Sequence, residues 1–447
     1  MNDIYRSPLA MDGKNPTNLR GDTIDAERYF SPEFARAEWQ HLWTKIWHIA
    51  GRENELAEPG DYIVHDFLHE SVMIVRQDNG ALRGFYNSCA HRGIRLVRAS
   101  SSADHIVCPY HGWIWEKDGA LSHVPDADNF PGGSPCGKVR LRDVRVESWG
   151  GFVWYTMSDT APALLDYLDP FPKLFAGVPL ERLVRVYQVK IDIRSNWKFA
   201  PDNFSESYHV QTAHPQVPAF IDQDYRQARL EMYPNGHGRT VQAWRPSPNT
   251  PERERDNNYF DAILRKWDID PDVYPDFETR VMQGWLDLKA QKRKLWKERG
   301  HLHYETMDDE QLTDSIHTTL FPNISITFNP DSVFFMRTEP HADDPNWCSF
   351  DFWAMEFPVE GATHTQTAMV GSSPLPLKEA EPIRRAFDNG RGIPELASGV
   401  IEQDLLLAED MQRGLHSRGY QPPCLAYSET RVRYFHEVLN DYLAGRR

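Results

Sequence analysis

The sequence predicts an α+β protein: a small antiparallel β domain towards the N-terminus, then a larger region in which an antiparallel sheet and helices mix. Two observations lead there. Residues 50–165 are crowded with short alternating segments separated by turn signals, and residues 166–447 carry longer runs of both helical and strand character. A chain of 447 residues, 40% hydrophobic and 26% charged, has ample material for two or three cored domains.

Taken in order, residues 1–49 read as an N-terminal arm and helix. The first two dozen are polar, and Asp25 to Trp47 takes helical spacing from Phe30, Phe34, Trp39, Leu42 and Trp43. From Gly51 the pattern changes to strands, with Tyr62-Ile63-Val64, Val72-Met73-Ile74-Val75 and Gly84-Phe85-Tyr86. Asp78-Asn79-Gly80 and Lys117-Asp118-Gly119 supply hairpin turns among them. Residues 230–310 read as a charged helical insertion in the second region. There Phe277, Val281, Trp285, Leu288 and Leu295 form a stripe after Pro275-Asp276, with Gly300 as a stop. Such a stripe packs on a core or on another subunit. Strands return at Ile324 to Phe328 and Ser349 to Trp353. Two helices close the chain, Ile401 to Leu415 and the one after Ser428 that aligns Val432, Phe435, Leu439 and Tyr442.

The net charge of −16 repels phosphate backbones and anionic membranes, so neither nucleic acid nor a membrane is expected as a partner. No run approaches the ~18 apolar residues of a spanning helix, and the opening MNDIYRSPLAMDGKNPTN lacks signal-peptide order; a cytoplasmic location is expected. Five scattered cysteines make a disulfide framework improbable.

Two of those cysteines belong to a motif. Cys89-Ala90-His91 and Cys108-Pro109-Tyr110-His111 each offer one thiolate and one imidazole. A mixed-ligand [2Fe-2S] centre needs two thiolates on one iron and two imidazoles on the other, which paired loops supply; zinc on the same four ligands is the competing reading. A second concentration of ligands lies at 196–215. On an ideal helix Asp202, Glu206 and His209 share a face, whereas His214 falls about 140° from His209, so the helix must loosen between the histidines, with Pro215 favouring extended geometry at His214. Two histidines and a carboxylate form the facial triad of non-haem Fe(II) oxygenases. The carboxylate is either Asp404, in the inward face of a late helix, or the local Glu206.

Asn87 to Gly93 (NSCAHRG) and Cys108 to Trp113 (CPYHGW) resemble the two loops of a Rieske iron–sulfur domain. With the His209 segment, the chain resembles along most of its length the large (α) subunit of the Rieske non-haem iron oxygenases, the aromatic ring-hydroxylating family. The resemblance implies a Rieske domain at 50–165 and a catalytic domain of helix-grip type at 166–447. It implies Cys89, His91, Cys108 and His111 as cluster ligands and His209, His214 and Asp404 as ligands of a mononuclear Fe(II). Glu206 falls where the family keeps an acidic bridge between the iron of one subunit and a cluster histidine of its neighbour; Asp202 is the alternative bridge, and Asn203 stands behind the iron ligands. Many members have Asp at the bridge, and a branch that includes oxidisers of quaternary amines has Glu. The implied activity is hydroxylation of an aromatic or hydrophobic substrate with O₂, with amine demethylation as the alternative.

Gly390-Arg391-Gly392 does not continue into a dinucleotide fingerprint, so no bound NAD or flavin is expected, and electrons must come from a separate reductase, directly or through a ferredoxin. The resemblance also implies a homotrimer, with or without a small β subunit. Trp244, Phe334, Phe335, Phe352 and Trp353 are candidates for the chamber wall, though plain core packing is the better explanation of each.

Overall fold

The computed structural model describes residues 19–447 apart from 225, 227, 253, 254, 256–258, 372 and 388–394. Gly390-Arg391-Gly392 and the first eighteen residues of the arm therefore lie outside the described residues. The chain divides into two units, Ala37–Pro172 and a second made of Met1–Arg36 with Lys173–Arg447.

The expected helix from Asp25 to Trp47 is broken into a 3₁₀ turn at Ala26–Tyr29, helix α1 (Pro32–Glu38) and one turn of wider helix at Trp39–Trp43. Pro32 cannot continue a preceding helix but suits the first turn of a new one. Trp47 is not helical at all: it opens strand β1 (Trp47–Arg52). In the second unit the residues before α1 pack on the last helix of the chain. Arg20 donates to the Glu437 carbonyl at 2.8 Å and the Gly21 N–H to the Glu437 carboxylate at 2.7 Å.

After the wider turn at Trp39–Trp43 the smaller unit is mainly β, broken by two 3₁₀ turns and helix α2 (Leu164–Tyr167), and α3 (Phe171–Leu174) straddles its boundary. Its further strands are β2 (Asp61–Phe67), β3 (Glu70–Arg76), β4 (Leu82–Tyr86), β5 (Ser101–Ser102), β6 (His105–Val107), β7 (Ile114–Glu116), β8 (Leu121–His123), β9 (Asp143–Trp149) and β10 (Phe152–Thr156). They form a seven-stranded sheet, β1-β10-β9-β4-β3-β2-β5, and a three-stranded one, β6-β7-β8. Alternation along β3 explains why the large sheet is buried on both faces: Met73 and Val75 enter a core that contains Cys89, Cys108 and Trp113, and Val72 and Ile74 enter a separate one with Ile63 and Tyr155. The Asp118-Gly119 turn joins β7 to β8. Gly119 has φ +83°, and a Cβ there would lie 2.5 Å from the Phe85 ring, so only glycine fits.

The larger unit is built on β11 (Val184–Ile193), β12 (Arg229–Met232), β13 (Gly238–Ala243), β14 (Asp314–Leu320), β15 (Ile324–Phe328), β16 (Ser332–Pro340), β17 (Cys348–Glu356) and β18 (Ile383–Ala386). Their order is β12-β13-β14-β15-β16-β17-β11-β18, antiparallel except for β11 with β18. Around it lie α4 (Phe199–Phe204), α5 (Val210–Ala213), α6 (Tyr259–Lys266), α7 (Phe277–Leu295), α8 (Val400–Leu415) and α9 (Thr430–Leu443).

The charged segment 230–310 is thus not wholly helical, because β12 and β13 form one edge of the sheet before α6 and α7 begin. In α7 the expected start holds: the Asp276 carboxylate accepts the Thr279 N–H at 2.7 Å as an N-cap. Val281, Gly284, Leu288 and Lys292 make its buried side, and the helix ends at Leu295, a turn before Gly300. Helix α9 is buried over Thr430–Leu439, and Arg431 donates across to Thr319 Oγ1 on β14 at 2.8 Å. Among the described residues no helix is long and apolar enough to cross a membrane.

Candidate metal centres and substrate cavity

The two Cys/His loops of the smaller unit are built alike. In the first, between β4 and β5, the Cys89 N–H donates to the Ile94 carbonyl and the Gly93 N–H returns to the Cys89 carbonyl, both at 2.8 Å. In the second, between β6 and β7, the Cys108 N–H donates to the Trp113 carbonyl at 2.8 Å and the Gly112 N–H returns to the Cys108 carbonyl at 3.1 Å. Gly93 and Gly112 both have positive φ, which closes each turn without strain. The loops bring both sulfurs into the core, and the His91 and His111 rings meet at 4.6 Å between centroids. The Nδ1 atom of each ring is buried with no hydrogen-bond partner. Burial, then the neighbouring His111 ring, holds the His91 imidazole below its ordinary value, so it is neutral. Two buried thiols beside two unpartnered imidazole nitrogens are the donor set of a mixed-ligand iron–sulfur centre.

One residue that sequence reasoning missed ties the first loop down. Asn87 accepts the Leu96 and Val97 N–H groups at 3.1 and 3.0 Å and donates to the Val97 carbonyl at 2.7 Å and to Ser71 Oγ at 3.0 Å. It lies within the NSCAHRG segment, but nothing in one dimension distinguishes it from an ordinary loop asparagine.

In the larger unit the ligand segment breaks twice rather than once. Helix α4 ends at Phe204, and the single turn α5 then runs between the histidines, with His209 before it and His214 after it. The expectation that Asp202, Glu206 and His209 share one face fails because the helix carrying Asp202 stops before the other two. Asp202 turns away instead, accepting the Tyr29 hydroxyl at 2.7 Å and facing His436 Nε2 at 3.0 Å.

The structure does bring His209, His214 and Asp404 together, with one potential ligand atom from each within 4.8 Å of the others. His214 Nε2 is 3.0 Å and His209 Nε2 3.6 Å from Asp404 Oδ1. The far side of each ring is occupied: Glu206 Oε1 bonds His209 Nδ1, and Gln403 Oε1 lies 2.8 Å from His214 Nδ1. Oxygen acceptors there place the proton on Nδ1, which leaves each Nε2 lone pair directed at the third ligand. Asp404 is buried in α8, whose inward face Gln412 anchors by accepting the Asn196 N–H at 3.0 Å and donating to the Tyr29 carbonyl at 3.1 Å. Of the two candidate carboxylates, Asp404 meets both Nε2 atoms and Glu206 backs one ring. Gln403 had no sequence signal beyond its place beside Asp404.

The triad borders a cavity of about 580 Å³, within the usual range for small-molecule sites. Sheet alternation makes its floor. Thr240, His317, Thr327 and Phe334 stand opposite one another on β13 to β16 and all line it. Phe220, Trp244 and Tyr259 form an aromatic wall, with Phe220 and Tyr259 edge to face at 5.9 Å and Trp244 and Tyr259 stacked at 6.4 Å. Of the expected wall residues, Trp244 and Phe334 are there. Phe335, Phe352 and Trp353 are buried and absent from the lining; Phe335 sits on β16 between the lining residues Phe334 and Met336, and so faces the other way. Asn203 and Glu206 also line the cavity.

A second trio, His301, His303 and Asp331, is equally close together. There Asp331 Oδ1 already takes the Tyr304 hydroxyl at 2.8 Å and both imidazoles at 3.1 Å, so this carboxylate oxygen is spent within the fold, while His303 Nδ1 is buried without a partner.

Comparison with known proteins matches the two regions that carry these residues to family models. Residues 46–144 match the Rieske [2Fe-2S] domain and residues 180–445 the catalytic domain of the ring hydroxylating alpha subunit. The oxygenase subunit of carnitine monooxygenase from Escherichia coli is 34% identical over 200 residues, 43% of this chain and 52% of that one. The alpha subunit of biphenyl 2,3-dioxygenase from Rhodococcus jostii is 30% identical over 235 residues, 47% and 49% of the two chains. The match thus spans about half the length of these curated relatives. A quaternary ammonium Rieske monooxygenase solved with L-carnitine shares the fold at a TM-score of 0.63 and 20% identity, over 94% of this chain and 95% of that one. With a catalytic-domain match over more than half its length and a Rieske match before it, the chain belongs to the Rieske-type ring hydroxylating alpha subunit family, whose cofactors are a [2Fe-2S] cluster and a mononuclear iron.

Proposed function

We propose that this chain is the terminal oxygenase component of a cytoplasmic system that takes electrons from a separate NAD(P)H-dependent reductase, directly or through a ferredoxin, and uses O₂ to hydroxylate an aromatic or other hydrophobic organic molecule. The observation that carries the reading is the convergence of two imidazole Nε2 atoms on one buried carboxylate beside an aromatic-walled cavity. Cys89, His91, Cys108 and His111 would hold the cluster, and His209, His214 and Asp404 the mononuclear iron. When bound, these groups supply single-electron delivery and O₂ chemistry next to the substrate. The chain's own residues do the positioning. Glu206 and Gln403 fix the two rings from behind, the aromatic wall offers ring faces for the substrate to lie on, and Asn203 lines the same space.

The working assembly is a homotrimer, with or without a small β subunit. In it Glu206 bridges His209 to His91 or His111 of the partner subunit. Glu206 supports this by already holding His209 Nδ1 with one carboxylate oxygen.

A quaternary amine is the second reading, favoured by the Phe220, Trp244 and Tyr259 rings, which offer π faces to a cation, and by the similarity to carnitine monooxygenase. One experiment separates the two. The iron-loaded protein is reduced anaerobically and exposed once to O₂ with pooled arenes, aromatic acids and quaternary amines, and the products are weighed by mass spectrometry. An arene gaining one oxygen, or two oxygens with two hydrogens, is the expected result. Loss of a methyl group from an amine moves the protein to the second reading. Cluster sulfide without mononuclear iron, even after Fe(II) addition, overturns both.

A further inference from the structure

The cavity holds more hydrogen-bonding capacity than a hydrocarbon could use. Three of its lining residues carry a buried polar atom with no hydrogen-bond partner: Asn203 through Nδ2, Gln223 through Oε1 and His317 through Nε2. They come from three places, the end of α4, the loop before β12 and the middle of β14, so the fold sets all three residues in the wall of one space. A buried donor or acceptor stripped of partners is costly, and a molecule filling this space must supply them.

Charge narrows the choice. His317 Nδ1 lies 2.8 Å from Thr327 Oγ1, and burial, with the Arg431 charge adding, holds the imidazole down to about 3 against a weak opposing contact with the Phe204 backbone. His317 is therefore neutral and offers a hydrogen bond, not a counter-ion. Among the described residues that line the cavity, the ionisable side chains outside the triad are His317, Glu206 and Tyr259, and Glu206 is spent on His209 and two backbone N–H groups. A substrate carboxylate would find no cation among them, and a quaternary ammonium, which neither donates nor accepts, would leave the three polar atoms bare.

We propose that the cavity selects an uncharged aromatic substrate bearing an amide- or urea-type group, whose carbonyl oxygen accepts from Asn203 and whose N–H donates to Gln223 or His317 while its ring lies on the aromatic wall. This deepens the oxygenase reading and rests on it only for what is done to the bound molecule.

The test is calorimetric titration of the metal-loaded protein with four probes of similar size: acetanilide, propylbenzene, benzoate and phenyltrimethylammonium. Acetanilide should bind at least tenfold more tightly than each of the others, and Gln223→Leu or His317→Leu should erase about tenfold of that advantage over propylbenzene. Equal affinity for propylbenzene, tighter binding of either ion, or no acetanilide binding overturns the proposal, and the unsubstituted protein alone decides this if a variant does not fold. The same four probes are then turned over with reductase. An oxygenated product from any of them sustains the oxygenase reading even if the preference fails, and acetanilide that binds but yields no product leaves the preference standing and removes the reading.

Discussion

Glu206 shows how much one side chain is asked to do. Its carboxylate holds the His209 ring through Nδ1 and also caps the Tyr208 and His209 N–H groups, the latter at 3.2 Å, so it fixes backbone and ring together. A glutamine at this position keeps an oxygen to accept from Nδ1 but loses the charge. Glu206→Gln is therefore expected to retain both iron and sulfide and to lose turnover, by 10- to 100-fold at least if it acts as other groups behind a metal ligand do. Metal analysis beside O₂-dependent product formation checks this, and full activity would refute the bridge. At this scale the sequence was informative where ligand type and spacing carry the meaning, as in Cys89, His91, Cys108, His111, His209 and His214. It said less about Asp404, which is 190 residues from His214 and was chosen only through the family pattern. It misled at Asp202, since projecting side chains at a fixed angle holds only while the helix continues, and α4 stops at Phe204.

Among elements, the two cluster loops depend on scaffolding that no motif announces. The Asn87 side chain makes four hydrogen bonds that close the first loop against β3 and the loop's own returning segment at Leu96 and Val97. Asn87→Ala leaves two backbone N–H groups without this acceptor in a buried place, a loss of about 2–4 kcal/mol in the stability of that unit. The expected outcome is less labile sulfide per chain and a lower unfolding midpoint for the cluster unit, with iron at the His209 site retained; unchanged sulfide and midpoint would show that the loop closes without it. The large sheet shows a different limit on what a sequence displays. Thr240, Gln242, Ser315, His317 and Thr327 alternate with apolar neighbours in the manner of a strand half exposed to solvent, and only the topology reveals that this polar face lines a cavity. The strands β12 and β13 were hidden for a related reason: they are short, they lie at an edge, and the charged residues around them match the helices that follow.

For the whole molecule, the strand and helix patterns were enough to foresee a β unit followed by a mixed one. The return of residues 19–36 to the larger unit was not foreseeable, because it rests on bonds such as Arg28 to His436 Nδ1 at 2.8 Å that span some four hundred residues. The larger unit also buries ionisable groups whose cost depends on pH. Burial, with the Asp331 charge adding, outweighs the Gln366 N–H bond and pushes Glu356 from 4.5 up to about 8. Burial likewise pushes Asp314 from 3.8 up to about 7, with Lys289 opposing. Each native carboxyl keeps its proton where the unfolded chain has released it, so its contribution to stability is whole below the unfolded value and is lost as pH rises through the native one. The buried histidines His303, His317 and His436, all held below their ordinary value of 6.5 by burial, work in the opposite sense below that pH. A single wild-type profile therefore mixes the two, and a substitution separates them. Glu356→Gln keeps an oxygen for the Gln366 N–H and removes the titration. Relative to the unsubstituted protein it should gain stability steadily from pH 5 to pH 8, on the order of a few kcal/mol in all, and no further above that. Urea unfolding of both proteins at matched pH values measures the difference, and a gap that stays constant across the window would show that Glu356 is ionised in the native fold.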